Sequence, residues 1–235
     1  MSGYGLYGLD WTYILVLIGA VLSLIASAKV NSTFNKYQKV RSASGLTGAE
    51  TAQRILQQNG IYDVAVEHVS GNLSDHYDPT NKVLRLSDST YSSSSVAAVG
   101  VAAHECGHAL QHHVGYGPLR FRTAIVPAAN IGSKLGIPII LLGVLLGSNY
   151  FLIELGIWVF SLAVLFQIVT LPVEFNASNR AMTMMERYGI LSGDELRSTR
   201  KVLSAAAMTY VAAAASSILQ LLRLIILFGG NRRRD

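Results

Sequence analysis

A single cysteine, Cys106, is all the thiol in this chain of 235 residues, so no internal disulfide framework can staple it. Charge is scarce as well: Asp, Glu, Lys and Arg make up 14% of the residues, against about 25% in an ordinary soluble domain. With 51% hydrophobic residues and a mean hydropathy of +0.37, the chain is too apolar for a conventional water-soluble globule and reads as a membrane protein. No basic patch interleaved with aromatics is present, so the net charge of +5 points to membrane surfaces and topology rather than nucleic acid. The charged segment that precedes the apolar run of a secretory signal is missing too, so the first apolar run reads as a membrane span.

What the chain does have is a set of long uncharged runs. Residues 11–28 carry no charge and come close to the lower limit for crossing a bilayer. Tyr4, Tyr7, Trp11 and Tyr13 resemble an interfacial aromatic belt, and residues 1–28 are expected to form an amino-terminal transmembrane helix. Lys29, Lys36, Lys39 and Arg41 follow with no acidic residue among them, which places residue 29 onward in the cytoplasm. Residues 126–171 read as a transmembrane hairpin turning at Gly147-Ser148-Asn149. Pro127, Pro138 and Lys134 predict that its first half is broken or partly cytoplasmic. Residues 204–235 form an apolar helix interrupted by Arg223 and a tail with Arg232, Arg233 and Arg234. That helix either spans outward or bends back, and the sequence leaves both open.

Between the first span and the hairpin lies a more polar stretch, residues 29–125. Thr47 with Glu50 forms a capping box, and Asn59-Gly60 stops the short helix it starts. Residues 61–69 and 82–86 alternate as strands, with a turn-rich loop at 71–79 between them. Asp75, His76 and Asp78 in that loop are explained by turn chemistry and receive no ligand role. A strand placed next to a catalytic helix could hold an extended substrate by adding its backbone as one more strand.

Residues 95–114 then form a helix with Ser95 as its N-cap and an apolar run from Val96 to Ala103. It contains His104-Glu105-Cys106-Gly107-His108, a match to H-E-x-x-H. Two His four residues apart lie on one helical face, so both imidazoles can reach one tetrahedral zinc at about 2.0–2.1 Å. Glu105 projects beside them, where it can take a proton from a metal-activated water. Such pentapeptides also arise by chance, but polar groups buried in so apolar a helix need partners, and a metal supplies them. Cys106 reads as a small apolar filler. A third ligand is required. The metzincin positions for Gly and His hold Gln111 and Val114, which excludes that class. His112 lies roughly 12 Å along the axis from His104. Glu174, delivered by the returning arm of the hairpin within a helical segment at 172–203, is the better candidate, and a His2Glu set leaves a position for water.

Four stretches carry a family resemblance: Asp75-His76-Tyr77-Asp78-Pro79, residues 82–87, residues 101–111 and Leu171-Pro172-Val173-Glu174-Phe175-Asn176-Ala177-Ser178. In this order they look like the YugP-type neutral zinc metallopeptidases of bacterial membranes. The resemblance covers most of residues 45–210 and implies a gluzincin-type integral-membrane peptidase with Zn2+ on His104, His108 and Glu174 and with Glu105 as base. More distantly the chain is similar to HtpX-type membrane proteases, in which E-x-x-x-D follows at the third ligand. Ser178 stands here in place of that Asp, so the partner that would orient a zinc-binding His is not evident.

The expectation is a mainly α, membrane-embedded protein with a small β-sheet and a zincin-like catalytic core on transmembrane helices. It is expected to be a multi-pass protein of the cell membrane, its active site on the cytoplasmic side, cleaving membrane or unfolded polypeptides. Arg180, His112, His113, Tyr77 and Tyr210 are all able to stabilise an oxyanion, and the sequence does not rank them. A catalytically idle scaffold with a structural zinc, or a metal-dependent transporter or sensor, are the competing readings. An idle scaffold need not keep Glu105, and a transporter would place ionisable groups in mid-membrane.

Overall fold

The computed structural model describes residues 10–229. In chain order these form α1 (Tyr13–Tyr37), α2 (Gly48–Gln58), β1 (Ala65–Val69), β2 (His76–Asp78), β3 (Val83–Ser87), α3 (Val96–His113), α4 (Gly117–Leu145), α5 (Tyr150–Arg187) and α6 (Gly193–Phe228). Tyr4, Tyr7 and the three terminal arginines Arg232, Arg233 and Arg234 lie outside the described residues. The described residues divide into two units, one made of residues 26–123 and 169–210, the other of 10–25, 124–168 and 211–229.

The first unit carries the sheet and the short helices. Thr47 Oγ1 accepts from the Glu50 backbone N–H at 3.2 Å, and the Glu50 carboxylate accepts from the Thr47 N–H at 2.8 Å. This reciprocal cap starts α2, which packs Ala52, Ile55 and Leu56 against Val99, Ala102, Ala103 and Cys106 of α3. Each such large aliphatic side chain taken fully out of water stabilises by about 1.5–3 kcal/mol. Ser95 Oγ accepts from the Ala98 N–H at 3.1 Å and caps α3. Glycines let α3 sit close to its neighbours. A Cβ on Gly107 would overlap the Ala177 carbonyl on α5, and one on Gly100 would overlap the Thr199 side chain on α6.

The sheet has the order β1-β3-β2, with β1 parallel and β2 antiparallel to β3. One expectation is corrected by this topology. The stretch 71–79 is not all loop, because His76–Asp78 pairs with β3 as a strand. Asp78 causes this: its carboxylate accepts from the backbone N–H groups of Thr80 and Asn81, a tight turn that folds β2 back onto β3. Consequently β3 is the central strand, with Leu84 and Leu86 fully buried, and the strand available as an edge near α3 is β2.

The second unit is helical. α4 is continuous from Gly117 to Leu145 with Pro127 and Pro138 inside it, so the expected break does not occur. Gly132, Gly136 and Gly143 face Val159, Phe160 and Ile153 of α5 so closely that an added Cβ would overlap, the small-residue packing typical of membrane helices. Gly147 and Ser148 at positive φ turn the hairpin, and Asn149 Oδ1 accepts from the Leu152 N–H at 3.2 Å. Between α1 and α6, the Ser216 hydroxyl donates to the Gly19 carbonyl at 2.7 Å. Arg223 stacks 4.0 Å above the Tyr13 ring and lies 3.9 Å from the Asp10 carboxylate.

α1, α4, α5 and α6 are all long and apolar enough to cross a membrane. α5 and α6 run to 38 and 36 residues, roughly 57 and 54 Å at 1.5 Å per residue, well beyond a hydrocarbon core of about 30 Å. The segment after Leu171 is therefore a direct continuation of α5 through Pro172, not a new helix. α6 starts at Gly193 and does not bend back on itself.

Candidate metal centre

His104 and His108 sit on consecutive turns of α3, their ring centroids 4.8 Å apart and nearly perpendicular. Glu174, on α5, is 2% exposed and turns its Oε2 toward both rings, 3.4 Å from His104 Nε2 and 3.5 Å from His108 Nε2. The close approach at Gly107 and Ala177 is what lets α5 bring this carboxylate over the two imidazoles. One donor atom from each of the three residues lies within 4.8 Å of the others.

These residues fit a metal. Glu174 Oε2 is buried and accepts no hydrogen bond among the described residues, an arrangement that costs about 1–3 kcal/mol or more when nothing fills it. Ligands at about 2.0–2.1 Å in a tetrahedral shell stand about 3.3–3.4 Å apart, the spacing that separates the carboxylate oxygen from each imidazole nitrogen. Two nitrogens and one carboxylate oxygen are also a donor set that zinc prefers.

The surroundings are built for this set. Glu174 Oε1 faces Arg122 Nη1 at 3.9 Å. Burial alone would lower the pKa of His108, but Glu174 and Glu105 outweigh it, so without metal the ring holds its proton more firmly than a free imidazole. The outer ring nitrogens have neutral partners. His104 Nδ1 meets Ser178 Oγ at 3.1 Å, and His108 Nδ1 meets Gln111 Oε1 at 3.1 Å. Ser178 thus occupies the orienting place that its sequence position left without a carboxylate. Gln111 went unnoticed as a partner, although its position three residues after His108 on the same helix was a readable signal.

A cavity of about 190 Å³ opens beside the three donors and is lined by His104, Glu105, Glu174, Ser178 and Tyr210. Val101, Leu203 and the small residues Ala206 and Ala207 make its apolar wall. Glu105 is largely buried, and Tyr210 faces Glu174 across the cavity. The other polar candidates are placed elsewhere. Tyr77 hydrogen-bonds His112 Nδ1 at 2.9 Å, and with His113 they line a separate cavity. Arg180 Nε donates to Asn176 Oδ1 at 2.7 Å. Asp75 accepts from the Ser87 N–H and hydroxyl, and Asp78 accepts from Asn81 and Arg85, so both serve the sheet. Cys106 is buried with its thiol toward the Ala52 carbonyl at 3.6 Å, and burial pushes its pKa up, which leaves it unreactive.

Comparison with known proteins agrees with this chemistry. A family profile described as "Putative neutral zinc metallopeptidase" matches residues 12–229. The chain is 52% identical over 201 residues to a Bacillus subtilis (strain 168) protein named "Putative membrane protease YugP", covering 85% of this chain and 89% of that one. No solved structure matches.

Proposed function

We propose that this chain, which belongs to the neutral zinc metallopeptidase family, hydrolyses peptide bonds in membrane-associated or unfolded polypeptides as an integral-membrane metalloendopeptidase. His104, His108 and Glu174 hold the zinc, and Glu105 is the general base. The observation that carries this reading is the convergence of three donor atoms beside a cavity that also receives the Glu105 carboxylate. Zinc supplies the acidity that makes water nucleophilic near neutral pH and polarises the scissile carbonyl.

The side chains do the rest. Glu105 accepts the proton of the attacking water and returns it to the leaving amine. Tyr210, the oxyanion candidate that shares the cavity with Glu105, offers a hydroxyl to the developing oxyanion. Val101, Leu203, Ala206 and Ala207 exclude water and accommodate an aliphatic side chain of the substrate. The free edge of β2 offers backbone groups to an extended polypeptide. We place the metal centre on the cytoplasmic side of a multi-pass cell-membrane protein, on the strength of the basic residues that follow the first span.

Glu105→Gln tests the mechanism. Gln removes the base without touching a ligand, so zinc content is expected to stay near that of the wild type. Turnover of an unfolded polypeptide is expected to fall by about 100- to 10,000-fold. A variant that cleaves at the wild-type rate removes Glu105 from the mechanism. A wild type that binds zinc and cleaves nothing favours the idle scaffold.

A further inference from the structure

The two histidines of the metal centre are held differently. Ser178 Oγ beside His104 Nδ1 can either give or take a proton, so it leaves that ring's tautomer open. Gln111 beside His108 has no such freedom. It is fully buried, and its amide nitrogen donates to the Val173 carbonyl oxygen at 2.8 Å and to Asn176 Oδ1 at 3.0 Å. Asn176 Oδ1 accepts in turn from Arg180 Nε at 2.7 Å.

A guanidinium only donates, so the Asn176 atom that faces Arg180 is the oxygen. Turning that amide over would set N–H groups against each other toward both Arg180 and Gln111. The Asn176 oxygen and the Val173 carbonyl both call for donors, so Gln111 gives them its NH2. A reversed Gln111 would press its oxygen against two other oxygens at hydrogen-bonding distance. Its Oε1 is thereby turned to His108 Nδ1, which must carry the proton. In the neutral ring the nitrogen without a proton is then Nε2, the atom that faces Glu174 Oε2 at 3.5 Å.

We propose that Arg180, Asn176 and Gln111 form a positioning relay that keeps a proton on His108 Nδ1, so that Nε2 is the nitrogen that gives up its proton and meets the metal. The proposal rests on the reading of His108 as a zinc ligand. Val173, Asn176 and Arg180 all belong to α5, as Glu174 does, so one helix supplies both the metal-facing carboxylate and the control over the ring on α3. Gln111, the relay member that touches the ring, is neutral, so the relay orients His108 without adding to the negative charge of Glu174 and Glu105 beside it.

Nitrogen-15 NMR of the full chain in detergent, zinc-free and at a pH where the ring is neutral, reads the tautomer directly. The wild type is expected to protonate His108 at Nδ1, and Gln111→Leu to give a mixture of tautomers with zinc affinity lowered by about 10- to 100-fold. Asn176 is partly exposed and gives a milder pair of variants. Asn176→Asp keeps an acceptor between Arg180 and Gln111 and should keep the tautomer, whereas Asn176→Leu should lose it. Predominant Nε2 protonation in the wild type, or an unchanged tautomer in both Gln111→Leu and Asn176→Leu, overturns the relay. Failure of the ligand reading is separate, because it shows as full zinc content in His108→Ala.

Discussion

Glu174→Ala removes the carboxylate oxygen that faces both imidazoles, and two His with water hold zinc far less well than three protein ligands. Zinc measured in the purified variant is expected to fall well below one per chain, with activity lost. His112→Ala should keep its zinc, because His112 is engaged with Tyr77 in a separate cavity. Full zinc in Glu174→Ala with loss in His112→Ala would move the third ligand back onto α3. Acid should also release the metal. The pKa of His108 is raised in the metal-free protein, so a proton competes with zinc already above the ordinary imidazole range. Zinc retention in a chelator competition should begin to fall before the pH has dropped to the ordinary imidazole value of about 6.5. In the zinc-free protein the sign of the stability effect follows from the same shift. The charged ring facing Glu174 and Glu105 stabilises the fold below about pH 6.5, and that contribution is lost as pH rises through the raised value.

At the scale of elements, the centre depends on how closely α3 and α5 approach. Gly107 lies inside the metal motif but owes its identity to packing, since any Cβ there meets the Ala177 carbonyl. Gly107→Ala must push the helices apart or distort α5, at a cost of about 1–3 kcal/mol. Because Ala177 is one turn from Glu174 on α5, zinc affinity is expected to fall together with the thermal midpoint. A Gly107→Ala protein with unchanged midpoint and zinc content would show that the contact has no such role. The sheet illustrates a limit of pattern reading at the same scale. Three residues, His76–Asp78, are too few to display alternation, and only the Asp78 turn beside β3 makes them a strand.

For the whole molecule, four helices are long and apolar enough to span; on the multi-pass topology proposed above all four cross, which would put both ends of the described chain on one side. Reporters fused ahead of α1 and beyond α6 are expected to read external, and reporters after Lys39 or at Gly189 cytoplasmic. Opposite readings at the two ends would mean that one of the four helices does not cross. A uniformly inverted pattern would put the metal centre outside the cell.

Composition and pattern alone made this chain a membrane protein of long helices, because hydropathy and charge spacing are properties of local sequence. The same local logic placed His104 and His108 on one helical face, since a four-residue step is a turn of helix wherever the helix sits. The break that Pro127 and Pro138 suggested is absent, because α4 runs through both prolines as one helix. What only the tertiary structure decided is which distant groups face those rings. Glu174, Ser178 and the Asn176 and Arg180 end of the relay come from α5, more than sixty residues further along the chain. Their approach depends on Gly107 lying against Ala177, a three-dimensional contact that no periodicity in the sequence encodes.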